Sequence, residues 1–375
     1  MTGSEKMRAA LSRDGSDEIP VVICYEDIYI RDHWSELTSC PWWYASETDL
    51  SKQVEWRNEV VTNIGQDWYV VPVCPTREER ENTVIRTGAD GVFRVDKKTK
   101  TERELLKPKV GGDCYQPWDK PGGPADISGV DALFDIYALP DPADIACDGR
   151  RDLADMLTGG PCAGLCRMRH AGSPLEACVS LFGYNGFMLM LNDGPELIRH
   201  AAKRFTETEE RRILEAKALG AEVIWIEECF TDMINPEMFS EFNLPYVTRV
   251  VDAIRSAGMA SVYYYCGDPA GKLEMILSAG ADAVSFEESK KGFAIEITDI
   301  IDAVRGRCAV FGNLDAINLL PSCSEYELEN AISAFIKAGR DNKNRFVMSI
   351  GSPVTPGTSA ERVRLYCELA RRLGS

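Results

Sequence analysis

The chain has 375 residues, 45% of them hydrophobic, with a net charge of −17 and thirteen cysteines. That much apolar content can bury a large core, and so negative a field repels a phosphate backbone, which sets nucleic-acid binding aside. No run of about 18 apolar residues is present to span a membrane, and the polar N-terminus MTGSEKMRAALSRDG does not read as a secretory signal. The cysteines are scattered, many inside apolar runs, which suits reduced thiols in a cytoplasmic protein better than a disulfide framework.

Taken along the chain, eight short apolar runs read as strands: 20–27 (PVVICYED), 67–75 (DWYVVPVCP), 163–170 (AGLCRMRH), 221–228 (AEVIWIEE), 261–267 (SVYYYCG), 282–288 (DAVSFEE), 308–315 (CAVFGNLD) and 345–352 (RFVMSIGS). Parallel strands buried on both faces read as such continuous runs rather than as alternating ones. Apolar residues at helical spacing fill 193–219, 244–257, 270–279 and 326–338 between them. Alternating strand and helix predicts an α/β fold with a parallel sheet. No glycine-rich turn follows Asp27, which disfavours an open dinucleotide-binding sheet. The expectation is a (β/α)8 TIM barrel in one domain, 1–375. Two stretches interrupt it. Turn signals at Gly88-Ala89-Asp90-Gly91 and Asp96-Lys97-Lys98 predict a β-hairpin insertion over 82–109. The Pro-, Gly- and Asp-rich stretch 111–160 reads as a long connection with one short helix.

In such a barrel the chemistry sits where strands end. Alternation puts Tyr264 and Cys266 on one strand face, and Tyr263 and Tyr265 on the other. Cys266 reads as a metal ligand, a nucleophile or plain core. Glu227-Glu228 and Glu287-Glu288 end runs that should be buried, and buried carboxylates are rare unless paired, ligating or moving protons. A helix cap or a rim ion pair is the plainer reading of each. Asn313 and Asp315 close the seventh run, where Asp315 also fits a helix cap. His170 ends a strand and fits a proton donor, a ligand or a structural group; His33 and His200 look like surface residues. Cys162, Cys166 and His170 lack a fourth partner for zinc. There is no GxSxG, P-loop or HExxH.

The order Tyr264-Tyr265-Cys266-Gly267, then AGAD at 279–282, Gly312-Asn313-Leu314-Asp315 and GSPVTPGTSAER at 351–362 resembles the uroporphyrinogen decarboxylase superfamily. Ile234-Asn235-Pro236, EFNLPY at 241–246 and NDGPEL at 192–197 fit the same pattern, and the likeness runs from about Gly172 to the C-terminus. The resemblance implies a (β/α)8 barrel, a homodimer and one of two activities. The decarboxylase branch removes acetate carboxyls from a tetrapyrrole without metal, gripping carboxylates with an RQAGR-type motif; here Arg31 in YIRDHW is the nearest basic residue. The other branch transfers methyl groups with a corrinoid protein and binds zinc through His-x-Cys and a later cysteine. Here those positions carry Tyr264, Cys266 and, nearby, Ser352.

Methyl transfer between a small O- or S-methyl molecule and a corrinoid protein is the first expectation. Tetrapyrrole-type decarboxylation is the second, and a non-catalytic binding protein on the same scaffold the third. Zinc is expected to be weak or absent, with Cys266 its one conserved-type ligand, and no other cofactor is expected to bind tightly. Glu228, Glu287, His170 and Tyr264 are the expected catalytic groups, and Glu227, Asn313, Asp315, Ser352 and Arg31 the expected substrate contacts. Glu228, Tyr264, Cys266, Glu287, Asn313 and Ser352 should gather round one pocket, with His170 on its wall.

Overall fold

The structure, a computed structural model, describes residues 1–112, 123–136, 139–290 and 292–375. Ten strands occur among them: β1 Trp68–Val70, β2 Thr83–Gly88, β3 Gly91–Asp96, β4 Glu102–Glu104, β5 Cys166–Gly172, β6 Val223–Glu228, β7 Ala260–Tyr265, β8 Ala283–Phe286, β9 Ala309–Phe311 and β10 Phe346–Val347. Seven form one parallel sheet in the order β1-β5-β6-β7-β8-β9-β10; β2, β3 and β4 form a separate antiparallel one. The 20–27 run adds an edge contact rather than a full strand. Val21 bridges Met348 in parallel, and Asp67 N donates to Val21 O at 2.8 Å, so this segment lies between β10 and the entry to β1.

The sheet curls on itself. β1 and β9 stand at widely separated positions in strand order, yet the Trp68 and Phe311 rings are 5.7 Å apart. Trp225 of β6 completes the triangle, 5.6 Å from Trp68 and 5.7 Å from Phe311. Only side chains on the concave face can meet this way, so these three rings fix which face of every strand looks inward. Aromatic triads of this kind contribute beyond their burial.

Helices cover the convex face because their stripes match it. Ile297, Ile300, Ile301 and Val304 of Ile297–Val304 are all buried at helical spacing, each worth about 1.5–3 kcal/mol. Helix starts are encoded locally. Ser173 accepts from Leu175 N and Glu176 N ahead of Pro174 at the first turn, and Ser324 with Glu327 forms a capping box.

Local chemistry moves several boundaries. Tyr25 adopts φ 54, which ends the extended run, and Glu26 opens the helix Glu26–Asp32. A 3-10 turn at Gly160–Cys162 precedes the 163–170 run, whose strand starts only at Cys166 and continues to Gly172. The long connection holds three helices, Ile127–Ile136, Pro142–Cys147 and Asp152–Met156, where one was expected; its residues 113–122 and 137–138 lie outside the described ones. His33 is not a surface residue: it is 3% exposed, with Nδ1 2.9 Å from Glu36 Oε1. Among the described residues no single helix is long and apolar enough to cross a membrane.

Candidate active site at the strand ends

Register alone sorts the candidate residues between the two faces of the sheet. Trp225 faces inward, so Glu227 does too, and Glu228 does not. Glu227 pairs with Tyr264, Tyr264 with Ser285 and Ser285 with Phe311. This inward row carries Tyr264, stacked 5.1 Å from Trp225. His170 of β5 pairs with Trp225 in register and faces the same way.

The inward groups converge. His170 Nδ1 lies 2.6 Å from Glu227 Oε1. Burial alone would depress the imidazole, but Glu227 outweighs it, with help from Asp27 and Glu26, and the His170 pKa rises. Tyr25 closes over this pair, its ring 6.0 Å from His170 and 5.6 Å from Tyr264. A non-glycine residue at positive φ is costly, and its cost at a strand end often marks function. Tyr264 donates to Gly351 O at 2.8 Å, and Cys266 Sγ lies 3.8 Å from the same hydroxyl. Cys266 also meets Cys229, which, with burial, pushes the Cys229 thiol far above its usual range.

At the next strand end, Glu287 accepts from Gly267 N at 2.8 Å and sits 2.5 Å from Lys290 Nζ. Lys290 donates to Ser352 Oγ at 2.7 Å. Asn313 Nδ2 ties the same loop by donating to Glu287 O and Ile295 O, both at 3.1 Å. Glu288 is 2% exposed, and neither carboxyl oxygen completes a hydrogen bond. Burial raises its pKa, tempered by Ser352 and Lys290. Its oxygen is wedged against Gly351, where a Cβ would stand 2.5 Å from Oε2. Ser285 Oγ on the inward row, Asn313 Oδ1 just past the end of β9 and the Trp225 indole nitrogen are likewise buried without a partner. Such groups in a native core call for water or a ligand.

Glu228 is elsewhere. It is fully buried against the helix layer, accepting from Ser173 Oγ at 2.6 Å and Tyr263 OH at 2.9 Å, with Asn243 behind Tyr263 at 3.1 Å. Burial lifts its pKa to about 7, opposed by those hydrogen bonds. The structure therefore brings together Tyr264, Cys266, Glu287, Asn313 and Ser352, with His170 on the wall as expected and Glu227 beside it, but it places Glu228 elsewhere. Asp315 is spent locally, accepting from Ile317 N and Asn318 N at 2.8 Å. Arg31 forks onto Asp32 at 2.7 and 3.0 Å. The sequence reading passed over Tyr25 and Lys290. Glu287-x-x-Lys290 could have flagged the latter as an acid and base within one turn; nothing in ICYE marks Tyr25.

The three zinc positions of the resemblance do not fit a zinc ion. The Tyr264 phenol is spent as a donor, and the Ser352 hydroxyl accepts from an ammonium, leaving Cys266. Zinc wants thiolate, imidazole or carboxylate ligands, and a fixed ammonium opposes a dication. Among the described residues, one grouping of three such ligands occurs, at Cys40, Glu55 and Glu59. Glu59 there is engaged with Ser39 N and Thr38 Oγ1, tying a loop to a helix.

A family model described as uroporphyrinogen decarboxylase (URO-D) matches residues 168–373. Similar curated proteins include the uroporphyrinogen decarboxylase of Xanthomonas oryzae pv. oryzae, 24% identical over 222 residues, which cover 58% of this chain and 59% of the relative. The uroporphyrinogen decarboxylase of Anaeromyxobacter sp. is 27% identical over 260 residues, 65% of this chain and 69% of the relative. The chain thus spans about 59% of the length of the Xanthomonas relatives it matches. A solved methyltransferase from Methanosarcina mazei covers 100% of both chains with TM-score 0.68 at 17% identity, a likeness of fold. With more than half its length matched by the family model, the chain belongs to the uroporphyrinogen decarboxylase family, as a divergent member.

Proposed function

We propose that the chain is a (β/α)8-barrel enzyme, closed at the eighth position by the edge contact of residues 20–23, that moves a methyl group between a small methylated molecule and a corrinoid held by a partner protein. The observation that carries this reading is the charge at the strand ends. Glu227, Glu287 and Glu288 face one histidine and one lysine there. A tetrapyrrole bearing several carboxylates would bring more negative charge into a low-dielectric, acid-rich mouth, at a high cost. A neutral methyl ether or thioether carries no such penalty. The fold of the Methanosarcina methyltransferase is compatible with this reading.

A bound corrinoid supplies the nucleophile that accepts the methyl group. The chain's own task is the atom left behind. When the methyl carbon parts from its oxygen or sulfur, the bonding pair stays on that atom, which must gain a proton. We assign the donor as Glu288, a buried carboxyl that burial pushes towards its neutral form against the pull of Ser352 and Lys290. The His170–Glu227 pair is a second proton source on the wall. Tyr25 packs against His170 and Tyr264 on that wall. Glu228 braces β6 against the helix layer and is not in contact with the mouth.

A single domain with the 82–109 insertion, a homodimer and a cytoplasmic setting complete the proposal; the described cysteines are all free thiols, as a reducing compartment allows. The test is to mix the protein with reduced free cobalamin and a panel of methyl ethers and thioethers, following the corrinoid spectrum. Methylated cobalamin and the demethylated product are expected. Carbon dioxide release from uroporphyrinogen, with no demethylation, would establish the decarboxylase reading instead.

A further inference from the structure

Against Ser352, one of the three positions where the resemblance would place ligands for a metal ion, the chain carries a cation of its own. Lys290 Nζ is 2.5 Å from Glu287 Oε1 and 2.7 Å from Ser352 Oγ. Cys266 and Glu288 are near enough to act on its charge. The site is built: the Lys290 side chain is 19% exposed and that of Glu287 5%. Glu287 is held from its other oxygen by Gly267 N at 2.8 Å. Asn313 fixes the loop behind it. An ammonium has three N–H donors. Two go to Glu287 and Ser352, and one remains for a ligand. Beside it stands the buried, unpartnered Glu288 carboxyl.

The charges also balance. A zinc ion held by one imidazole and two thiolates sums to zero. Lys290 with Glu287 sums to zero as well, and it does so where Tyr264 and Ser352 have replaced the imidazole and one thiolate.

We propose that Lys290 is the resident cation of this mouth, standing in for a metal ion, and that with Glu288 it binds the electron-rich oxygen or sulfur atom of the small substrate. The substrate half of this rests on the methyl-transfer reading; the cation half does not. Lysine suits the role because its ammonium is a compact point charge with rotatable donors.

Two measurements separate the halves. First, zinc is titrated into purified wild type and Lys290→Met against a chromophoric chelator. Met keeps the length and removes the charge, freeing Glu287 beside Cys266. Zinc should bind wild type weakly and Lys290→Met at least about tenfold more tightly, a gain of about 1.4 kcal/mol. Stoichiometric zinc in wild type, or equal affinity in both proteins, overturns the assignment. Second, demethylation is measured in wild type, Lys290→Met and Lys290→Arg, with circular dichroism confirming that all are folded. Met should lose about 100-fold or more in kcat/KM and Arg should recover part of it. Equal activity in Met and wild type refutes a binding role for Lys290. If wild type demethylates nothing, the methyl-transfer reading and the substrate half fail together, while the zinc titration still decides the cation.

Discussion

The ends of β6 and β8 carry the same two letters and do different things with them. At β6 the strand continues through Glu228, so alternation is enforced: Glu227 meets His170 inside, and Glu228 goes to the helix layer. At β8 the ladder stops at Phe286, before the pair begins. Released from the pleat, Glu287 turns to Gly267 and Lys290 while Glu288 folds under Gly351. Both lie on the mouth side. A carboxylate pair inside a strand is split between two layers; one just past a strand is not. The buried acid at β6 has two hydroxyl partners, whereas the buried acid at β8 has none. Satisfied burial of the first kind braces a fold, and unsatisfied burial of the second kind is where chemistry is to be sought.

The sharpest way to break this contrast is to neutralise each buried acid in turn. Glu288→Gln should lower kcat for demethylation by about 100-fold or more, the usual worth of a positioned acid. Glu228→Gln should keep kcat within about threefold. Matched losses in the two variants would show that position relative to the strand end does not sort these carboxyls.

The next largest effect is on stability and pH. Glu228 has a folded pKa of about 7 against an ordinary value of 4.5. A raised acid pKa means the fold binds the proton more tightly, so the stabilisation is complete below about pH 4.5 and drains away as pH rises through 7. Between pH 5 and 7 the loss from this group should be about 2 kcal/mol. Glu26, also raised to about 7 by burial and Asp27, drains in the same direction and stays in the variant. Denaturant unfolding of wild type and Glu228→Gln should therefore diverge with rising pH, the variant falling less. Parallel curves would mean that Glu228 is ionised in the fold at neutral pH.

At β8 the matching probe is Gly351→Ala. The new Cβ would stand 2.3 Å from Glu288 N and 2.5 Å from its carboxyl oxygen, too close for either to remain. Overpacking of this kind costs about 1–3 kcal/mol, and displacing Glu288 should lower kcat more than it raises KM. An alanine variant with wild-type kcat would remove Glu288 from the reaction.

How far the sequence carries these distinctions is itself instructive. The parallel sheet was legible because Val, Ile and aromatic runs recur between helical stretches, and strands β5 to β10 fall inside or beside their predicted runs. The face of Tyr264 and Cys266 followed from alternation alone. Two things were not legible. Ladder ends depend on where a neighbouring strand stops donating, as Phe286 shows, and no local pattern records that. The role of Lys290 depends on Ser352, which lies 62 residues away in the chain. The assignment of Glu228 to the mouth failed for the first reason: a run of apolar residues ending in two acids does not say whether the last acid is still in the strand.

The smallest effect, and the most specific to β6, is that of one hydroxyl. Tyr263 OH donates to Glu228 Oε2 and accepts from Asn243 Nδ2, all of it buried. Tyr263→Phe removes the link without opening a cavity. It leaves a carboxyl oxygen and an amide hydrogen unmatched, which should cost about 1 kcal/mol at pH 5. The same hydrogen bond holds the Glu228 pKa down against burial. Without it the folded pKa climbs further, so the fold gives up more stability as pH rises. The penalty for Tyr263→Phe should therefore be larger at pH 8 than at pH 5, while kcat at pH 5 stays near wild type. A penalty of equal size at both pH values would show that Tyr263 and Glu228 are not coupled. A kcat loss at pH 5 as deep as that of Glu288→Gln would instead bring Glu228 back into the reaction and undo the division between the two strand ends.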